Sequence, residues 1–507
     1  MSGRERNIVR TWPDDDEHRH VLAARDDLIT EIGHRDDDGR RHFTQDIGPF
    51  ETYRRDVAVA DGHIVETTRY RLTVPWFAWL FHFPIRWTMS RRFAGHPGRP
   101  PWWAPPDRID ARHALVLGLL AAASMASAFT NTLFTQTAQF AADDFGVGDT
   151  GFGIAGAVVR AGIIITLPLA ALSDRLGRRR IMSVVAWAAP IICALGAIAP
   201  SFPALVATQA IGRPLGLTLD FMIAVVVAEE MPRNSRAYAV SLMAMASGLG
   251  AGIAVMALPL ADVNESGWRF VYLVTLVWLI VAVDIVRRLP ETKRFERPHV
   301  VAPPMVWKRF AVLATVAVCA NFFVAPASFF QNRYLREVRG FDASTISLFT
   351  LTTATPAALG LVLGGRLADI RGRRHLIAVT IPIATLLVLT SFSVPGGPMW
   401  LSAFGGGFIG GIAYPALAVY RAELFPTGNR GKAAGMLTAS ALIGGIGGLL
   451  LVGRLLDGGW SYSQVIGLVA LGQVIVVVFV LTQFPETAHR TLEDLNPEDV
   501  QPPPAGA

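Results

Sequence analysis

The chain has 507 residues, 52% hydrophobic and only 17% charged, with a formal net charge of +6. Soluble domains are about 25% charged, so this mix excludes a disordered or nucleic-acid-binding chain and points to a bilayer. Two cysteines, Cys193 and Cys319, lie inside apolar runs and are too few for a disulfide scaffold or a metal cluster, while every basic residue except Lys293, Lys308 and Lys432 is arginine.

The first 110 residues differ from the rest, with acidic runs at 14–17 and 36–38. Residues 17–32 carry Val21, Leu22, Leu28 and Ile32 at helical spacing, with disorder of residues 1–45 as the alternative. Residues 53–73 read as a hairpin around Asp61-Gly62, a pair suited to the positive φ of a type I′ turn. Residues 74–92 are aromatic and basic but interrupted by Pro75 and Pro84, which predicts a segment lying in the cytoplasmic membrane interface rather than crossing it. A stiff linker follows at 95–106. No nucleophile and base pair or metal spacing occurs here, so this small α+β cytoplasmic region is expected to regulate or assemble rather than catalyse.

From residue 111 onward, twelve apolar runs follow: about 113–137, 150–172, 181–199, 203–229, 237–260, 268–288, 308–332, 345–367, 376–394, 398–421, 432–454 and 462–483. Each can cross a roughly 30 Å hydrocarbon layer as a helix, and runs this long exclude barrel strands, so the body is an all-α bundle. Arginines in the loops after spans 2 and 8 (Arg175, Arg178, Arg179, Arg180; Arg371, Arg373, Arg374) place those loops and both termini in the cytoplasm. Arg333, Arg336 and Arg339, at the end of span 7, are the exception and would sit outside.

Three motifs recur at one offset. DRLGRRR from Asp174 returns as DIRGRRH from Asp369, EEMPRNSR from Glu229 as ELFPTGNR from Glu423, and PET from Pro290 as PET from Pro485, at spacings of 195, 194 and 195. The body is therefore two six-helix pseudo-symmetric halves, 111–288 and 308–484, joined by a cytoplasmic linker at 289–307 and followed by a cytoplasmic tail at 485–507.

These motifs resemble those of the major facilitator superfamily over about residues 112–490. The loop signature between helices 2 and 3 is matched by Asp174, Arg175, Gly177, Arg178 and Arg179, with Ala170 in place of a usual glycine that the second half keeps as Gly365. The Glu-x-x-Pro-x-x-x-Arg loops and the two PET motifs are most similar to the sugar-porter and metabolite–proton symporter branches. The resemblance implies a secondary transporter working by alternating access, without catalytic residues, cofactor or metal. It also implies a cytoplasmic gate built from Asp174, Arg175, Arg178, Glu229, Arg236, Asp369, Arg373, Glu423 and Arg430. The alternative is that these arginines only set topology and snorkel to lipid phosphates.

Charges deeper in the spans are costly and informative. At a rise of 1.5 Å per residue, Arg160 lies roughly 21 Å, Arg213 roughly 24 Å and Asp220 roughly 13 Å from the cytoplasmic loops. Two cations against one acid, with no acid at that depth in the second half, suit an anionic group on a small organic solute, and proton coupling would run through Asp220. An internal ion pair that only fixes helix packing is the competing reading. Helices 1, 4, 7 and 10 line the path in the superfamily, which adds Asn131, Gln136, Asn321, Gln331 and Tyr414 as cavity candidates. The expected partners are the solute, protons and membrane lipids, with no nucleic acid, and the expected state is a monomer in the cytoplasmic membrane. A sugar uniporter or symporter, a drug efflux antiporter and a solute sensor that does not transport remain as other readings. An ATP-driven pump is disfavoured because no GxxxxGK[ST] sequence occurs.

Overall fold

The fold was obtained as a computed structural model, which describes residues 5–35, 40–91, 101, 103–105, 107–232, 235–291, 305–425 and 430–487. Most of the 95–106 linker, residues 292–304 of the connection between the halves and the tail from 488 lie outside the described residues, as do the side chains of Asp174, Arg175, Arg236, Asp369, Glu423 and Arg430.

Five strands, β1 (Arg6–Pro13), β2 (Thr30–Arg35), β3 (Arg41–Ile47), β4 (Phe50–Ala60) and β5 (His63–Leu72), make one antiparallel sheet in the order β1-β5-β4-β3-β2. Asp61 and Gly62 turn β4 into β5 with φ of 51° and 70°. On β5, Ile64, Glu66, Thr68, Tyr70 and Leu72 point inward at the strand period of two. Ile8, Phe50, Tyr53 and Tyr70 pack on Ile85 and Met89 of α1 (Ala78–Met89). Residues 17–32 do not form the expected helix, and among the described residues of 1–45, considered as disordered in the alternative, strands are present: Arg6–Pro13 is β1, Arg19–Leu22 is one 3₁₀ turn, and Thr30–Arg35 joins the sheet; residues 1–4 and 36–39 lie outside the described residues. The override is tertiary. Glu31 on β2 is drawn to the buried Arg55 of β4, with guanidinium to carboxylate contacts of 2.6 and 2.8 Å. Arg25 then closes α1, donating to the carbonyls of Met89 (3.0 Å), Thr88 (2.9 Å) and Arg91 (3.0 Å), a cation satisfying the orphan acceptors of a helix C-terminus.

The body begins with α2 (Ala111–Asp144). The second crossing is split into α3 (Asp149–Ala161) and α4 (Thr166–Leu176) by a 3₁₀ turn at Gly162–Ile165. A Cβ on Gly162 would stand 2.3 Å from the carbonyl oxygen of Ala210, so a residue without one lets α3 cross the neighbouring helix closely. Then come α5 (Arg178–Ala194), α6 (Phe202–Glu230), α7 (Arg236–Met256) and the sixth crossing, α8 (Trp268–Leu273) with α9 (Leu279–Arg288). The second half repeats the scheme with α10 (Trp307–Phe329) continuing into α11 (Gln331–Glu337), then α12 (Ala343–Arg371), α13 (Arg373–Ser391), α14 (Gly396–Glu423), α15 (Arg430–Asp457) and α16 (Tyr462–Gln483). Among the described residues, ten of these crossings are long and apolar enough to span a membrane on length and composition alone; the other two, α3–α4 and α12, hold the same place in the two halves. Within the halves α2 packs on α6 and α7, α10 on α15, and α14 on α12 and α13, whereas α3 on α15 and α7 on α12 form the seams between them. The sheet docks on the first half. Pro75 lies against Gly118 of α2, Tyr238 of α7 donates to the Trp103 carbonyl at 3.2 Å, and the Asp107 amide donates to Ser235 at 2.9 Å.

Candidate solute-binding site

Two arginines share one cavity. Arg160, near the end of α3, and Arg213, in the middle of α6, line a space of about 290 Å³ with Asn131, Thr132, Thr135 and Gln136 of α2 and Ser328 of α10. Both guanidinium groups are half-buried, and among the described residues no carboxylate comes within 4.0 Å of either. Arg160 reaches across to the second half, where a Cβ on Gly445 of α15 would stand 2.9 Å from its Nη1. Such a site is rich in hydrogen-bond donors and concentrates positive charge that no described carboxylate pairs with, a chemistry complementary to an anion's oxygens.

Asp220 sits apart from the arginines. Gly216 brings α6 close to α2, where Ser127 donates to its carbonyl at 2.7 Å, and one turn later Asn131 donates to Asp220 at 3.4 Å. The internal Arg213–Asp220 ion pair weighed from the sequence is not formed, because the amide of Asn131 takes the place of a cation at the carboxylate.

Asn321, Gln331 and Tyr414 line a second, larger space of about 510 Å³ in the other half, which meets the first at Ser328. Its walls are mostly apolar, with Val324, Ile381, Val388 and Phe392 among them, and Thr353 and Gln473 add polar points. Gln136 and Gln331, related by the repeat offset, are thus divided between the two spaces. Gln136 accepts from Asn332 at 2.7 Å, a bond that joins the halves. Ser328, Asn332 and Gln473 carried no spacing signal: the serine is small, Asn332 lies beyond the predicted cavity set, and Gln473 is on the twelfth crossing.

Among the described residues, contacts between the halves gather at the end away from the sheet. Arg333 lies 2.7 Å from Asp149, Arg336 2.5 Å from Asp143, and Ser347 donates to the Val255 carbonyl at 2.8 Å. Two of the three arginines that broke the topology rule, Arg333 and Arg336, are therefore the cationic side of this closure, while Arg339 donates to Tyr334 of its own half. At the sheet end, the described gate candidates have partners in their own halves: Arg178 meets Glu229 at 3.0 Å, and Arg373 meets Thr487 at 2.8 Å. The PET motifs acquire a role as well. Glu291 accepts from the amides of Arg178 (3.1 Å) and Arg179 (3.3 Å), and Glu486 from those of Arg373 (2.9 Å) and Arg374 (3.1 Å), so each glutamate caps the third helix of its half. Gly177 and Gly372 make those starts possible with φ of 94° and 89°.

Two six-helix halves around a central polar cavity define a multi-pass membrane transporter. The chain belongs to the Major Facilitator Superfamily, whose family model matches residues 118–354 and 311–504. A 3-(3-hydroxy-phenyl)propionate transporter of Escherichia coli (strain K12) is 29% identical over 342 residues, 64% of this chain and 84% of that protein. A cis,cis-muconate transport protein of Acinetobacter baylyi is 28% identical over 238 residues, 43% of this chain and 54% of that protein. The solved xylose transporter XylE from E. coli, in an inward open conformation, matches with a TM-score of 0.64 and 15% identity over 76% of this chain and 99% of that one, a likeness of fold. The protein is a secondary transporter of small solutes and not an enzyme.

Proposed function

We propose that this chain carries a small organic anion across the cytoplasmic membrane by alternating access, with Arg160 and Arg213 holding the anionic group and the larger apolar space holding the rest of the solute. The observation that carries this reading is the pair of half-buried guanidinium groups facing one cavity without a carboxylate partner among the described residues. An unpaired cation in a low-dielectric space costs several kcal/mol unless a ligand or water compensates it. The propionate and muconate in the relatives' names are carboxylates, which supports the same class.

In this reading Asp220, with Asn131, is the proton-coupling group, and the contacts among the described residues at the end away from the sheet belong to an inward-facing state. In the same reading the two arginine-rich loops and both termini lie in the cytoplasm. There α1 lies in the interface, with Trp79 74% and Phe83 81% exposed on the stripe that ends at Trp87. The loop residues Asp174, Arg175, Arg178, Glu229, Arg236, Asp369, Arg373, Glu423 and Arg430 form the cytoplasmic gate of the opposite state.

Docking of the sheet on α2 and α7 favours a second reading, a sensor that reports occupancy without net transport. Counterflow of labelled carboxylates in proteoliposomes separates the two. Transport predicts accelerated uptake against a preloaded unlabelled pool; binding without any counterflow would leave the sensor.

A further inference from the structure

Asp262, just after α7, and Asp457, at the end of α15, are 195 residues apart, the same offset that relates the loop motifs. Asp457 accepts the backbone amides of Asp149 (2.9 Å) and Thr150 (2.8 Å), the first turn of α3 in the opposite half. Asp262 accepts those of Ala343 (2.9 Å) and Ser344 (2.8 Å), the first turn of α12 in its own opposite half, and also the Ser344 hydroxyl (2.8 Å). The two arrangements are the same contact related by the pseudo-twofold axis.

The first four amides of a helix have no partner within it, and a carboxylate placed there also meets the positive end of the helix dipole. A residue beside the helix usually supplies the cap. Here the residue before α3 is Gly148, which offers no side chain, and Asp342, before α12, reaches only the Thr345 amide at 2.7 Å. The first two amides of each helix are instead satisfied from across the seam. Both aspartates are exposed, so water can replace these bonds when the halves separate, which suits a contact made and broken in each cycle. The seams behind them are tight: Gly153 and Gly453 approach closely on the α3–α15 side, and Ser347 donates to Val255 on the α7–α12 side.

We propose that Asp262 and Asp457 are a symmetric pair of latches that hold the far end of the transporter shut, each by capping the helix that the other half brings to the seam. The latch is released when the far end opens, and its strength sets the balance between the two access states before any solute binds.

The test uses full-length protein in nanodiscs without solute, with Cys319→Ser and spin labels at Ile198→Cys and Ser393→Cys, which are exposed far-end sites in different halves. Pulsed dipolar spectroscopy then reads the closed and open distance populations. Each of Asp262→Ala and Asp457→Ala is expected to raise the open-to-closed ratio about 2- to 30-fold, the usual effect of losing an N-cap, and the double variant to multiply the two. Asp342→Ala removes a cap that does not cross the seam and is expected to leave the ratio unchanged. Unchanged distances in both single variants, or an equal shift in Asp342→Ala, would overturn the latch. Should the double variant not fold, the single variants carry the same test. Because no solute is present, failure here is distinguishable from failure of the anion reading.

Discussion

Gly153→Ala is the substitution whose effect the structure specifies most closely. A Cβ at this position would stand 2.5 Å from the Leu449 carbonyl oxygen and 3.3 Å from Gly453 Cα, where ordinary contact begins at 3.4 Å. The obstacle is backbone, so it cannot rotate away, and α3 and α15 must part by about 0.9 Å at their crossing. Overpacking of this kind costs about 1–3 kcal/mol. The cost is incurred only where the two helices touch, in the state closed at the far end, so the open-to-closed ratio should rise about 5- to 150-fold at 1.4 kcal/mol per tenfold. The distance measurement between labels at 198 and 393 reads that ratio directly. Gly467→Ala on α16, where an added Cβ meets nothing within 4 Å, is the matched control. A Gly153→Ala distance distribution identical to that of the parent protein would refute the claim that this seam belongs to only one access state.

A further prediction concerns the sheet. Arg55→Met leaves the Glu31 and Glu66 side chains, 0% and 2% exposed, without their cation, and removing one partner of a buried pair costs about 3–5 kcal/mol. Hydrogen exchange at β4 and β5 in the full-length protein should accelerate; unchanged protection would contradict the role given to Arg55. In the parent protein, burial works to raise the Glu31 carboxyl, but the Arg55 guanidinium, the Tyr53 hydroxyl and the Arg25 amide outweigh it and hold the group below its ordinary value of 4.5. A folded value below the unfolded one gives stability that is present above pH 4.5 and lost as pH falls through the lowered value. Protection of β2 that already collapses between pH 7 and pH 5 would contradict this sign.

The body was legible from sequence because the bilayer imposes a length on each span and the repeat imposes a symmetry on its loops. Arg160 and Arg213 were legible for the same reason, since a charge at mid-membrane depth has few structural uses. Arg213 and Asp220, seven residues apart on one helix, looked like partners. Spacing along a helix cannot show that Gly216 brings α2 in to offer Asn131 instead. The PET motifs were found as a repeat, yet their capping role needed the third dimension, because Glu291 lies more than a hundred residues from the amides it accepts. Residues 17–32 misled for a tertiary reason: their apolar spacing fits a helix, but Glu31 is worth more as the buried partner of Arg55 on the neighbouring sheet. The arginines at 333 and 336 violated the topology rule in sequence and became intelligible only once Asp143 and Asp149 were placed opposite them.

The central claim is that Arg160 and Arg213, which no described carboxylate pairs with, select an anion. Its most direct test is equilibrium binding of a panel of alkyl and aryl carboxylates, each beside its own neutral amide, to the purified transporter and to Arg160→Gln/Arg213→Gln. Charge-assisted hydrogen bonds contribute about 1.5–3 kcal/mol, so the parent protein should prefer a recognised acid over its amide by about 10- to 150-fold, and the double variant should lose that preference. An amide that binds the parent protein as tightly as its acid, or a double variant that keeps the preference, would contradict the account.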